Sequence, residues 1–317
     1  MIKYPTQRDA YGQVLAQLGE ENKNLCVLDA DLGNSTKGRV FAKACPDRYF
    51  EMGIAEQNMM SVAAGLSLAG KIPFVSSFAV FVTGRAYDQF RQTIGIAGLN
   101  VKVCGSSAGL SDYGDGSTHQ SVEDMALMRA IPGVTVLSPA DAAECAAMLR
   151  FMAKEKGPMY IRVNRNPLPE IYDEVDPDGI LNRMDILRQG EDVALLATGT
   201  MVSRALEAAE RLAQQGVSAK VVNVSVIKPL NVAKVQEIAA SVKAVVTAEE
   251  HSTTGGLGSA VAEALCAQPV PMAMVGIRDQ YGTSARSYDA LLSHYHLTPE
   301  AVEKAALDIL KSQACKG

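Results

Sequence analysis

The run DVALLATGTMVSRALEAAERLA (192–213) joins a strand to a helix. Residues 192–200 read as a short apolar strand, and the stretch after it places Val202, Ala205, Leu206, Ala209, Leu212 and Ala213 on one helical face. A strand feeding an amphipathic helix is the repeating unit of parallel α/β sheets. Downstream, AKVVNVSVI (219–227), AVVTAEE (244–250) and VPMAMVGI (270–277) read as three further strands, and Pro299–Leu310 as a closing helix. The same rhythm runs upstream through LCVLDA (25–30), IPFVSSF (72–78), VKVCGSS (101–107), VTVLSP (134–139) and MYIRVN (159–164). Helical stretches Glu56–Ala69 and Ala140–Lys154 lie between them. NPLPEIYDEVDPDG (166–179), with three prolines and five acidic residues, can continue neither period. The expectation is an α/β protein of two domains, 1–170 and 185–317, each a mostly parallel sheet flanked by helices, joined by a linker at 171–184.

At 317 residues the chain is long enough for two cores. The net charge of −5 carries no basic excess, which argues against nucleic acid as a partner. No apolar window is long enough to span a membrane, and the opening MIKYPTQRDAYGQ lacks the core of a signal peptide. The six cysteines are scattered without a C-x-x-C pair, which suits reduced thiols better than a disulfide frame or a zinc site. A cytoplasmic protein is the expectation.

No calcium loop and no G-x-x-x-x-G-K phosphate loop occurs. GGLGSA (255–260), ahead of an alanine-rich helix, either presents amides to an anion or allows close helix packing. His294 and His296, two apart in a helical context, do not make a metal pair. His251, after Glu249 and Glu250 at a strand end, is either a binding-edge or a solvated residue. His119 differs: it lies in a glycine-rich loop with Asp112, Asp115 and Ser117, just after a strand, where α/β sheets bind ligands. That makes it the leading acid/base or substrate-binding candidate. In GIAEQNM (53–59), Glu56 opens a helix of small residues. From chemistry alone it is either a partly buried functional carboxylate or one favoured by the helix dipole.

Taken in order, these runs resemble the transketolase family over nearly the whole chain. GIAEQNM (53–59), FAVF (78–81), RAYDQ (85–89), DGSTHQ (115–120), IPGVTVLSPAD (131–141) and NRNPLP (164–169) resemble its pyrimidine-binding domain. VIKPL (226–230) and EEHSTTGGLGSA (249–260) resemble its C-terminal domain. Family members of full length begin with a domain that holds diphosphate and metal through a GDG followed by asparagine. Here GDG (114–116) has DAAECAAM (141–148) downstream, with no asparagine, and the match starts essentially at the first residue. The resemblance therefore implies the C-terminal half of a split transketolase. A separate partner would bring the diphosphate site and its Mg2+ or Ca2+, in an α2β2 assembly.

The resemblance also implies roles. Glu56 would activate thiamine diphosphate by sharing a proton with its pyrimidine ring, Phe78 and Phe81 would pack on that ring, and Asp31 would lie near the cofactor. Asp115 and His119 would bind sugar hydroxyls, while Arg165, Ser35 and Arg8 would grip a terminal phosphate. Ser107 falls where the family has a second substrate-facing histidine. Arg85 follows the deoxyxylulose-phosphate-synthase branch, with Gly84 where transketolases carry tyrosine. The implied activity is two-carbon ketol transfer between sugars. The alternatives are a synthase-like or 2-oxo acid dehydrogenase β-like subunit that decarboxylates a 2-oxo acid, and a non-catalytic scaffold.

Overall fold

The computed structural model describes residues 3–314. Its strands are β1 (Leu25–Asp29), β2 (Tyr49–Glu51), β3 (Ile72–Phe78), β4 (Lys102–Ser106), β5 (Thr135–Leu137), β6 (Met159–Val163), β7 (Asp185–Arg188), β8 (Val193–Ala197), β9 (Ala219–Asn223), β10 (Val226–Lys228), β11 (Ala244–Ser252) and β12 (Met272–Ile277). They form two sheets, ordered β10-β5-β6-β4-β3-β1-β2 and β12-β11-β8-β9-β7. All pairings are parallel except β10 with β5 and β7 with β9. β1, β3, β4, β5, β6 and β8 are buried along their whole length or nearly so, which explains why they read as continuous apolar runs.

One reading needs correction. AKVVNVSVI is two strands, not one: β9 ends at Asn223 and β10 crosses to pair antiparallel with β5 of the first sheet. Val224 N–H bonds to Ala197 O at 2.8 Å, but Ser138 N–H already bonds to Ser225 O at 2.8 Å. The chain thus changes sheets between Val224 and Ser225. The two sheets are consequently stitched together, and one apolar cluster runs from Met59 and Tyr160 to Ile227 and Val261. β2 and β7, short and partly exposed, were not legible as strands. On the helix Met201–Gln214, Ala208 is buried and Ala213 exposed, so the buried face is rotated slightly from the one expected.

Buried polar groups hold the C-terminal domain on the first. Arg162 donates to Asp124 through Nε and Nη2, both at 2.9 Å, and through Nη1 and Nη2 to the carbonyl of Glu250 at 3.2 Å. His251 is fully buried between Asp124 and Glu249, not solvated. Burial pulls its pKa down to about 4, which keeps the ring neutral. In GGLGSA the helix amides of Leu257 and Gly258 donate to the chain's own Glu249, at 2.7 Å each, and Gly256 and Gly258 pack too closely on Glu249, His251 and Met274 to admit a side chain. Five cysteines are free among the described residues; Cys315 lies outside them.

Asp29 ends β1 fully buried, where it accepts from Leu32 N–H at 2.7 Å and from the Thr36 hydroxyl at 2.8 Å. These bonds shape the 31–38 turn. Burial pushes its pKa up to about 6, with Glu51 raising it further and Arg39 opposing. Because the folded value exceeds that of a free aspartate, this contribution to stability is full below the free pKa of 3.8 and lost as pH rises through 6. Asp29→Asn cannot ionise. It should match the parent at about pH 4 and exceed it by up to about 3 kcal/mol above about pH 7, at about 1.4 kcal/mol per pKa unit. Urea midpoints at the two pH values check this, and an unchanged difference between them would count against it.

Candidate active site

β1, β3, β4 and β6 are parallel, and the residues following them meet at one edge of the sheet, the carboxyl edge where α/β folds bind ligands. Phe78 pairs with Ser106, and Ser106 with Val163. Asp29 pairs with Ser76, which puts Asp31 level with Phe78. Asp31, Phe78, Ser107 and Arg165 therefore belong to the same rim. Asp31 and Ser107 both adopt positive φ, 58° and 53°, as the chain turns sharply off its strand. Asp31 is exposed, and its N–H is held by Glu51 Oε1 at 2.8 Å; Ser107 is buried.

Glu56 opens the helix Glu56–Leu68, whose Met59, Met60, Ala63 and Ala64 are buried against β3 and its surroundings. Gly53, with φ of 66°, makes the turn into it. The Glu56 side chain is only 2% exposed. Oε1 accepts from Arg85 Nη1 at 2.8 Å, whereas Oε2 is buried with no hydrogen-bond partner. A buried carboxylate oxygen without a partner is costly, and Oε2 is open to a donor from outside the chain. Arg85 was noted in the sequence as a family variant, but its pairing with Glu56 was not foreseen. It ends a π-helical turn, Phe81–Arg85, a geometry that recurs at functional sites.

From this pair the site continues without a break. The Arg85 guanidinium carbon lies 4.7 Å from the Phe81 ring centroid. Phe81 and Phe78 stack at 6.0 Å, and His119 packs edge-on against both, at 5.5 and 6.1 Å. Phe78 is buried beneath this contact while Phe81 and His119 are half-buried, so Phe81 offers the accessible ring. Phe78 in turn lies 5.9 Å from the Arg165 guanidinium carbon. Arg165 is paired with buried Asp112, a residue of the same loop as Asp115 and His119.

Arg8 joins this cationic end. Its Nη1 donates to the carbonyl of Ser35 at 3.2 Å. Burial and the neighbouring charge of Arg165 both pull its pKa below the ordinary arginine value. Buried Gln7 fixes the approach: Oε1 accepts from Asn164 N–H at 2.8 Å and Nε2 donates to Pro139 O at 2.8 Å. Arg165 pairs with Asp112, Arg8 donates to a carbonyl, and the nearby Asp9 is paired with Lys37, so the two guanidiniums keep positive charge to offer an anion. Asp115 is exposed on the loop, and among the described residues its side chain makes no capping hydrogen bond to the turn that follows it. Contacts thus join Glu56, Phe81, Phe78, His119 and Arg165, with Arg8 and Ser35 beside Arg165, whereas Asp31 and Ser107 are placed by the ends of their strands. Asp112, Gln7 and Arg85 are the additions.

Comparison with known proteins follows this geometry. Residues 3–170 match the transketolase pyrimidine binding domain and residues 182–302 the transketolase C-terminal domain. The chain belongs to the transketolase family. Within it, the chain corresponds to the C-terminal section of a split enzyme. It is 41% identical to a putative transketolase C-terminal section of Methanocaldococcus jannaschii, over 98% of each chain. It is 42% identical to a 6-deoxy-6-sulfo-D-fructose transketolase subunit of Clostridium sp. (strain MSTE9), over 95% of this chain and 94% of that one. Among solved structures, a split gene transketolase described as an inactive beta4 tetramer superposes with a TM-score of 0.86 at 45% identity, covering 98% and 99%.

Proposed function

We propose that this chain is the pyrimidine-binding, substrate-binding subunit of a thiamine-diphosphate-dependent transketolase. It would move a two-carbon ketol unit from a phosphorylated ketose to an aldose. The observation that carries this reading is the unbroken line from the orphaned Glu56 Oε2, across Phe81 and His119, to the Arg165–Arg8 pair. That line has a proton-sharing carboxylate at one end, a half-buried imidazole in the middle and an anion grip at the other. Its residues suit the cofactor: an aminopyrimidine ring needs a buried carboxylate oxygen for its ring nitrogen and an aromatic face to lie against.

When bound, thiamine diphosphate supplies the acidic thiazolium carbon through which a ketol unit can be carried. The chain's own residues do the rest. Arg85 fixes Oε1 of Glu56, leaving Oε2 to hold or release the proton of the ring nitrogen. Phe81 would offer its face to the ring, and Asp31 is taken to lie near the cofactor. His119 and Asp115 bond the sugar hydroxyls, and His119 is available to move a proton at the reacting oxygen. Arg165, Arg8 and Ser35 take the terminal phosphate. The Clostridium relative is named for a sugar that carries a terminal anion, which favours ketol transfer on anionic ketoses over decarboxylation of a small 2-oxo acid. Ser107, in place of a histidine, would adapt the pocket to its own sugar. The presence of Glu56 with its oxygen unsatisfied argues against a scaffold.

The partner would be a separate N-terminal transketolase subunit that brings the diphosphate site and Mg2+ or Ca2+, completing an α2β2 assembly. Ile54, two residues before Glu56, is an exposed apolar residue, and Phe50 on β2 is another, positions suited to being covered. The division of labour along the chain is taken as 1–170 for cofactor and substrate, 171–184 as linker and 185–317 as support. In titration calorimetry the chain alone should bind thiamine diphosphate weakly or not at all. Adding the partner and Mg2+ should restore tight binding and activity. Tight magnesium-dependent binding to the chain alone would overturn the split-subunit reading.

A further inference from the structure

The segment from Gly109 to Ser121 is a closed loop, its ends tied by Gly109 N–H to Ser121 O at 2.9 Å and Ser121 N–H to Gly109 O at 3.1 Å. It carries Asp112, Asp115 and His119, and much of what braces it comes from the C-terminal domain. Glu250, on β11 of the C-terminal sheet, is buried with Oε1 accepting from Leu110 N–H at 2.7 Å. Its Oε2 accepts from the Tyr288 hydroxyl at 2.7 Å. The carboxyl group sits so close to Gly109 (φ 64°) that a Cβ there would come 2.6 Å from Glu250 Cδ. On the far flank, Ala285 N–H donates to Tyr113 O at 2.8 Å, and Gln120 Nε2 donates to both Asp112 O and Thr283 O at 3.0 Å. Gly116 and Gly282 leave no space for a side chain against Ser284 and Gln120.

From this we infer that Glu250 is a positioning residue: through Leu110 N–H it sets the loop that presents Asp112, Asp115 and His119, so the C-terminal domain acts on substrate binding without touching substrate. The inference rests on the ketol-transfer reading of that loop. A buried carboxylate accepting a backbone N–H holds the loop base far more firmly than a solvated contact would. The opposite wall is rigid because Asn166 Nδ2 donates to Ser111 O at 2.8 Å and Arg165 pairs with Asp112. Loss of the Glu250 brace therefore loosens the base of the loop at Leu110, and the loop then shifts as a unit about its remaining ties.

The test uses the full chain assembled with its partner subunit and loaded with thiamine diphosphate and Mg2+. In Glu250→Ala, amide hydrogen exchange over residues 110–120 should quicken about tenfold or more while β1 and β3 are unchanged. The ketose KM should rise about tenfold or more, with kcat affected less, as displaced binding groups predict. Deuterium exchange of the thiazolium proton, which depends on Glu56, should stay at the parent rate. Glu250→Gln keeps an acceptor for Leu110 and should restore both loop protection and KM. If Glu250→Ala does not fold, Tyr288→Phe, which removes the hydroxyl that donates to Oε2 and accepts from Asn164 Nδ2 at 2.7 Å, should shift loop exchange and KM in the same direction by a smaller factor. Asn164→Ala, which of these two contacts removes only the second, should leave exchange over residues 110–120 unchanged. Unchanged loop exchange in a folded variant would overturn the role of Glu250. A loosened loop with an unchanged KM would instead overturn the sugar-binding reading of the loop, and with it the positioning role.

Discussion

In the complex with its partner, Glu56→Gln slows deuterium exchange of the thiazolium proton by at least about a hundredfold, the usual scale for losing an acid/base group. The Glu56 carboxylate is buried with one oxygen on Arg85 and the other free. Glutamine keeps the shape and can still accept from Arg85 through its oxygen. It then presents an NH2 group where Oε2 stood, and this group can neither share nor release the ring proton. Helix stability should barely change. The charge at the first turn of Glu56–Leu68 is worth about 1 kcal/mol or less, and the Arg85 side chain, half exposed, loses little by being left with an amide. Assembly with the partner should persist. Exchange near the parent rate at saturating cofactor would remove Glu56 from the centre of the chemistry and leave it a helix-start carboxylate.

Arg165→Ala is expected to weaken binding of a phosphorylated ketose by about a hundredfold or more, read as KM, because the change acts twice. It removes a charge-assisted contact, and it leaves the buried Asp112 carboxylate without its partner and facing the anion. A sugar lacking the terminal anion should be hardly affected. Adding Asp112→Asn to Arg165→Ala should recover part of the loss, because the amide no longer repels the phosphate. Recovery of at least about fivefold, against at most a small effect of Asp112→Asn on the unphosphorylated sugar, is the signature of coupled charges. Equal losses for both sugars in Arg165→Ala would mean that the arginine shapes the pocket and does not read the anion.

Much of the fold was legible because it is written in short-range pattern. IPFVSSF coincides with β3 residue for residue, and LCVLDA and MYIRVN overrun β1 and β6 by one residue each. The helix Glu56–Leu68 starts where the sequence placed it, since Gly53 and the following small residues mark its beginning. The break in AKVVNVSVI was not legible. Val226 and Ile227 are as apolar as Val221 and Val222, and only pairing with β5 tells the two halves apart. His251 shows the converse limit. Its position after two glutamates left a binding-edge and a solvated residue both open, but Arg162 and Asp124, far off in sequence, supply the neutralising partners that allow burial of such a cluster.

The site divides in the same way. By itself the sequence determined the alternating strands and helices of a two-sheet α/β protein, the motifs that resemble transketolase, and the chemical types at Glu56, Phe78, Phe81, His119 and Arg165. These are properties of residue type and local spacing, which need no knowledge of what lies across the fold. Tertiary structure alone decided that Arg85, 29 residues away, takes one oxygen of Glu56 and leaves the other bare. It alone brought Arg8 beside Arg165, and set Glu250 under Leu110 from 140 positions away. Hydrogen bonding and charge act through space over a few ångströms, and only the register of neighbouring strands fixes which distant residues come within that range.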